Sequence, residues 1–148
     1  MKNILLNVVG VFVGLVVGSI VNLSLVNVGP MIVPPPEGVD MTTVEGIREA
    51  MPKLSVGNLM FPFLGHALGT LVGAFLAAKI AASHKMKFAV GIGAFYLLGG
   101  LSMVVMVGGP MWFMVTDLVI AYLPMGWLGG LLAAPKPRGD FKSDEGDS

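Results

Sequence analysis

The chain has 148 residues, of which 55% are hydrophobic and 12% are charged, whereas a soluble domain carries about 25% charged residues. This composition excludes a soluble fold, because too few polar side chains are present to cover a core. The formal net charge is zero, so we expect no nucleic-acid partner. The absence of cysteine excludes disulfides, thiolate metal sites and thiol catalysis.

Four apolar stretches follow one another along the chain, each close to the ~20 residues that cross ~30 Å of hydrocarbon as a helix. They predict membrane-spanning helices at about 4–28, 58–82, 88–107 and 111–133. Only Lys79 and Asp117 bring a charge into these stretches. The predicted fold is therefore an all-α integral membrane protein, an antiparallel four-transmembrane-helix bundle in contact with the lipid bilayer, formed by one domain at 1–134.

The connections between the stretches differ in character. The loop at 29–57 is long and polar, and Thr42 with Glu45 forms a capping-box pattern that predicts a short amphipathic helix there. Gly108-Gly109-Pro110 predicts a tight turn. The tail at 135–148 is polar and contains proline and glycine, so we expect it to be disordered.

Positive charges are distributed unevenly over the two sides of the predicted bundle. Of the nine lysine and arginine residues, all but Arg48 and Lys53 lie on the side of the termini and of the short link at 83–87. Because positive residues concentrate on the cytoplasmic side, both termini are predicted to be cytoplasmic, in the inner membrane of a bacterium. The first stretch also resembles a signal peptide, but it is longer than the usual 7–15-residue apolar core and lacks a small-x-small cleavage site.

Glycines recur at every fourth position in the first two stretches. The two registers consist of Gly10, Gly14 and Gly18, and of Gly65, Gly69 and Gly73. Residues four apart share a helix face, so each register predicts a shallow groove for close packing against another helix. The sequence leaves open whether the two grooves face each other or a second copy of the chain, so a homo-oligomer and a larger membrane complex are both open.

Several polar side chains fall at a similar depth in the outer half of the predicted membrane. Counted from the outer ends of their helices, His66 lies about 12 Å deep and Asp117 about 10 Å deep. The other members of this predicted layer are Asn22, Ser102 and Thr70. Because an ionisable side chain costs roughly 3 kcal/mol or more in hydrocarbon, His66 and Asp117 form a candidate site for proton exchange or cation binding. The alternative is a hydrogen-bonded pair that only fixes the helix register.

Other chemistry has less support in the sequence. One histidine, one aspartate and one asparagine are a poor ligand set for zinc or copper, so we expect no metal site and no cofactor. The HExxH, GxSxG, Walker A and dinucleotide-binding motifs do not occur. Ser102, His66 and Asp117 share only their depth, so we expect no enzyme activity.

Three function classes follow from these observations. The first is an accessory or scaffolding helical bundle without catalytic activity. The second is a small oligomeric proton-linked transporter or channel that uses the layer around His66 and Asp117. The third is an intramembrane enzyme acting on a lipid-linked substrate.

Overall fold

The computed structural model describes residues 1–134. The predicted tail at 135–148 lies outside the described residues. Within 1–134 the chain forms α-helices and one 3-10 turn at Met51–Lys53, and no strand. The helices are α1 Lys2–Ile32, α2 Val44–Ala50, α3 Val56–Ile80, α4 Lys85–Met106, α5 Met111–Ile120 and α6 Leu123–Ala133.

In the part of the chain that the structure describes, four helical segments are long and apolar enough to cross a membrane, which confirms the number predicted from the sequence. They are α1, α3, α4 and the segment Met111–Ala133 that α5 and α6 form together. The first helix is longer than predicted and continues through Pro30 to Ile32. Proline removes one backbone donor, but the amide of Val33 still donates to the Gly29 carbonyl at 2.9 Å and closes the last turn.

The loop between α1 and α3 contains the short helix α2, whose start differs from the predicted capping box. Thr43, not Thr42, caps the helix, and its hydroxyl accepts a hydrogen bond from the Gly46 amide at 3.1 Å. Thr42 lies one residue before the cap, and its hydroxyl and amide both donate to the Asp40 carboxylate. These bonds from Thr42, with a further one from the Thr43 hydroxyl, hold the pKa of Asp40 below its usual range.

A close contact joins the backbones of α1 and α3. An added Cβ at Gly14 would lie 2.5 Å from the Gly73 carbonyl oxygen, and one at Gly18 would lie 2.6 Å from the Gly69 oxygen. The relation is reciprocal, since a Cβ at Gly73 would lie 2.7 Å from the Gly14 oxygen. The two glycine registers therefore face each other within one chain, at a distance that only residues without a side chain permit.

The two ends of the molecule pack differently, and we name them by their connections. The link end carries the α3–α4 connection, and the loop end carries the connection between α1 and α3. At the link end, small residues of α3, α4 and α6 form a tight cluster of Ala74, Ala77, Ala78, Ala89, Ile92 and Ala133. The side chain of Asn7 ties α1 to this end, because it accepts from the Ala82 amide at 2.9 Å and donates to the Ser83 hydroxyl at 3.0 Å.

The fourth apolar segment is interrupted at Ala121 and Tyr122, between α5 and α6. The sequence predicts a kink near Gly126 caused by Pro124, whereas the break lies about one turn earlier. Pro124 falls in the first turn of α6, where its missing amide donor is tolerated. It cannot donate to the Ile120 carbonyl, so the helix ends before it and begins again after Tyr122.

We expect Gly14→Ala to destabilise the protein by about 1–3 kcal/mol, the usual cost of overpacking. The new Cβ would lie 2.5 Å from a backbone oxygen, which cannot move aside as the end of a flexible side chain can. The measurement is thermal unfolding in mild detergent.

The matched control is Gly91→Ala, also within a long apolar helix, where an added Cβ meets nothing within 4 Å. Alanine is the better helix former by about 1 kcal/mol, so the control should be as stable as the wild type or more stable. Equal losses in both variants would contradict a specific α1–α3 contact.

Candidate functional site

A buried cluster of three polar side chains joins α3 to the broken fourth segment. The Nδ1 atom of His66 lies 2.9 Å from Oδ1 and 3.0 Å from Oδ2 of Asp117. The hydroxyl of Tyr122 donates to Oδ2 of Asp117 at 2.9 Å. The Asp117 side chain is only 6% exposed, against 21% for His66, so the carboxylate is the enclosed member of the cluster.

The break in the fourth segment puts Tyr122 next to this pair. Asp117 begins the last turn of α5, and Tyr122 follows it by five residues, directly before α6. The Tyr122 ring stacks on the His66 ring, with centroids 5.6 Å apart and an interplanar angle of 29°. Gly100 of α4 makes room for the phenol, because a Cβ there would lie 2.5 Å from the Tyr122 hydroxyl oxygen.

The hydrogen bonds define which atoms of the cluster can exchange a proton. An ionised carboxylate only accepts hydrogen bonds, so beside an ionised Asp117 the Nδ1 atom of His66 carries a proton. The Nε2 atom has no hydrogen bond among the described residues and is not enclosed. It is therefore the position at which His66 can gain or lose a proton while the bond to Asp117 stays intact.

A cavity of about 440 Å³ lies between the His66–Asp117 pair and the loop that connects α1 to α3, at the loop end of the molecule. It is bounded by α1, by α2 with its flanking loop, and by α3, α4 and α5. His66 and Asp117 line it together with a mostly apolar set that includes Val26, Met51, Leu59, Pro62, Val104 and Phe113. A small-molecule site has this form, a largely apolar cavity of about 300–1,000 Å³ with a few convergent polar groups.

The two asparagines that also line the cavity already have partners for their amide groups. The Asn27 amide donates to the Leu23 carbonyl at 2.7 Å. The Asn58 amide donates to the Val33 carbonyl at 2.9 Å, and its side-chain oxygen accepts from the amide and hydroxyl of Ser55. Among the described lining residues, His66 and Asp117 are therefore the side chains that can exchange a proton with a ligand.

The other members of the predicted polar layer do not bond to His66 or Asp117. Thr70 lies one turn from His66 on α3 and is fully buried, and its hydroxyl has no hydrogen-bond partner among the described residues. Asn22 packs against Gly65 and Gly69 in the α1–α3 contact. Ser102 is exposed, and its hydroxyl donates to the carbonyl of Leu98 in its own helix, so it does not complete a Ser-His-Asp arrangement.

Sequence reasoning missed Tyr122 as a member of the site. Two signals were present: Tyr122 carries the only hydroxyl group in the last 17 residues of the predicted fourth span, and it lies two residues before Pro124. A buried phenol needs a hydrogen-bond partner, and the helix break before the proline is what lets it reach Asp117. Among the described residues there is no group of three histidine, aspartate or glutamate side chains that could hold a metal ion.

Comparison of the chain with protein-family models, with curated proteins and with solved structures gave no match.

We expect His66→Ala to cost about 3 kcal/mol, since it leaves the enclosed Asp117 carboxylate without its histidine partner. Asp117→Asn removes the charge itself and should cost less. When both changes are combined, Asp117→Asn should restore part of the stability lost in His66→Ala.

The measurement for these three variants is thermal unfolding in mild detergent. Tyr122→Phe, which keeps the ring and removes one hydrogen bond, serves as a milder control with an expected loss of about 1 kcal/mol. Losses from His66→Ala and Asp117→Asn that simply add would show that the two side chains do not act as a pair.

Proposed function

We propose that this chain is an integral membrane protein that binds a small solute in the loop-end cavity and exchanges a proton with it at His66 and Asp117. The observation that carries the proposal is the cavity of about 440 Å³ that ends on the His66–Asp117–Tyr122 cluster. An ionisable pair inside a membrane protein is costly, and here it stands where a ligand could reach it.

The proposed membrane fold is an antiparallel bundle of the four long segments. Its support is the order of the contacts between α1 and α3. Gly14 contacts Gly73 and Gly18 contacts Gly69, so residue numbers increase along α1 where they decrease along α3, as in antiparallel helices. The outward faces of the helices are apolar, with Leu5, Phe12, Leu98 and Val119 among many exposed hydrophobic side chains. Hydrocarbon is the solvent that suits such a surface.

The proposed location is the bacterial cytoplasmic membrane, with both termini cytoplasmic. The bias of lysine and arginine toward the termini and the link supports this orientation. In this orientation the loop end and its cavity face the outside. Arg48 of α2 holds the loop over the cavity, because its guanidinium donates to the Met106 carbonyl at the end of α4.

Transport also requires a path past the link end, where the alanine cluster of α3, α4 and α6 closes the bundle. Four helices packed in this way do not enclose a continuous channel. We therefore propose that the working unit is an oligomer, or that helices move between an outward-open and an inward-open state.

The second candidate is the accessory bundle expected from the sequence. Its support is that both Asp117 oxygens already have partners, from α3 and from the residue preceding α6. Interhelical polar contacts of this kind commonly hold helices together, at about 0.6 kcal/mol each on average. In this case the cavity would have no solute, and the cluster would contribute only to stability.

Orientation can be tested by labelling, because the chain contains no cysteine. Glu37→Cys and Ala82→Cys place single thiols in the loop and at the link end, both at exposed positions. In intact cells a membrane-impermeant maleimide should label Cys at position 37 directly, and at position 82 only after permeabilisation. The reverse pattern would show that the orientation is wrong, and labelling of both in intact cells would contradict a membrane barrier between them.

Proton coupling can be tested in proteoliposomes that contain a pH-sensitive dye. We expect that some members of a panel of cationic, anionic and neutral amphipathic solutes, added outside, change the internal pH. Asp117→Asn should abolish the response, because the carboxylate is the fixed charge of the site. Glu37→Gln also removes one acid but lies on the exposed loop, and it should respond like the wild type.

A stable Asp117→Asn variant that responds as strongly as the wild type would contradict the proposed site. If no solute class gives a response, and gentle detergent extraction yields a stable complex with another membrane protein, the accessory bundle is the better description.

A further inference from the structure

The charge balance of the loop-end cavity indicates which class of solute it takes. Among residues 1–134, its lining contains one carboxylate, from Asp117, one imidazole, from His66, and no lysine or arginine. With His66 neutral, the cavity therefore carries one uncompensated negative charge. With an additional proton on His66, its net charge is zero.

An uncompensated charge is costly in surroundings that cannot solvate it. Asp117 is enclosed, and among the described residues only His66 and Tyr122 donate hydrogen bonds to it. These bonds stabilise the negative charge but do not neutralise it. The site thus needs one positive charge, supplied either by a second proton on the His66–Asp117 pair or by a cation beside it.

We infer that the solute is an amphipathic monocation, which binds in the loop-end cavity and takes the place of one proton on the His66–Asp117 pair. This inference rests on the proposed function. The proton leaves the Nε2 atom of His66 for water as the cation enters, so the net charge of the occupied cavity stays at zero. The Nδ1 proton and its bond to Asp117 remain in place throughout.

Charged groups from the surrounding elements do not supply the missing positive charge. The described lining residues from α1 are Val26, Asn27 and Pro30, which are all uncharged, and those from α4 include no titratable side chain. Arg48 of α2 is outside the lining, where its guanidinium bonds to the Met106 carbonyl and to Glu45, 3.3 Å away. Lys53 of the loop is exposed and also outside the lining. Tyr122, directly before α6, is neutral and donates to Asp117.

The rest of the lining suits the apolar body of such a cation. Four methionines contribute to it, from the loop, the 3-10 turn, α4 and α5, namely Met41, Met51, Met103 and Met114. Methionine side chains are flexible and polarisable, and they adapt to ligands of different shape. The ring of Phe113 also lines the cavity, and an aromatic face attracts a cation.

The test compares two ligands of the same shape and different charge, the monocation N-benzylquinolinium and its neutral carbon isostere 1-benzylnaphthalene. Binding of each to the purified full-length protein in detergent is measured by calorimetry across a range of pH, with proton release followed in weakly buffered solution. While His66 holds its extra proton, the dissociation constant for the cation should fall about tenfold per pH unit as pH rises, with about one proton released per cation bound, as reciprocal linkage requires. The neutral isostere should bind more weakly and release no proton.

Three variants show whether cation binding and proton release occur at the loop-end cavity. Asp117→Asn should weaken cation binding at least about tenfold, equal to about 1.4 kcal/mol, and should remove proton release. Met114→Trp fills the cavity and leaves the cluster unchanged, so it should prevent binding while the protein stays folded. Glu37→Gln, on the exposed loop, should bind as the wild type does.

Each alternative result is distinguishable. If the neutral isostere binds as tightly as the cation and without proton release, the cation inference is wrong although a solute site exists. Cation binding that survives both Asp117→Asn and Met114→Trp would show that the probe binds elsewhere, which also overturns the inference. If neither ligand binds but another solute class changes the internal pH of proteoliposomes, the cation inference fails and the proposed function stands. If neither ligand binds and no solute changes the internal pH, the cation inference and the proposed function both fail.

If Asp117→Asn does not fold, the comparison of the cation with its neutral isostere on the wild-type protein still tests the cation inference.

Discussion

The backbone contact between α1 and α3 is the constraint on which the rest of the structure depends. Gly14 and Gly73 approach so closely that neither position can carry a side chain, and similar contacts extend along both helices. With this face of α3 occupied by α1, the other faces of α3 receive α4, α5 and α6. His66 lies on α3 one residue after Gly65, so the glycine contact also fixes the direction in which the imidazole points.

A second consequence is the difference between the two ends of the molecule. At the link end α3, α4 and α6 meet through alanine and glycine residues together with Ile92. At the loop end larger side chains such as Leu59 and Phe113 stand between the helices, and the cavity lies among them. The helix break at Ala121 and Tyr122 lies between the closely packed link end and the loop end that contains the cavity. It lets α6 pack tightly while α5 contributes Asp117 to the cavity.

The sequence predicts well where the apolar helices lie along the chain and predicts poorly how each is rotated about its axis. Length and hydropathy were enough to find four apolar helices, because a spanning helix must have both. His66, Asp117 and Asn22 were all predicted at similar depth, yet only the first two are in contact, whereas Asn22 faces Gly65 and Gly69. Since the outward faces of these helices are also apolar, no polar face marks which side is interior. The role of Tyr122 depends on where the helix breaks, and a proline fixes that position only to within about a turn.

The glycine contact also bears on the order in which the chain assembles. Glycine and alanine have no side-chain rotamers to lose, so the pairing of α1 with α3 costs almost no side-chain conformational entropy. Both partners are complete once the chain has been synthesised as far as Ile80, before any of α4 to α6 exists. The first half of the protein can therefore form a finished surface on which the second half docks. Asp117 then reaches its site late, where His66 is already held in position to receive it.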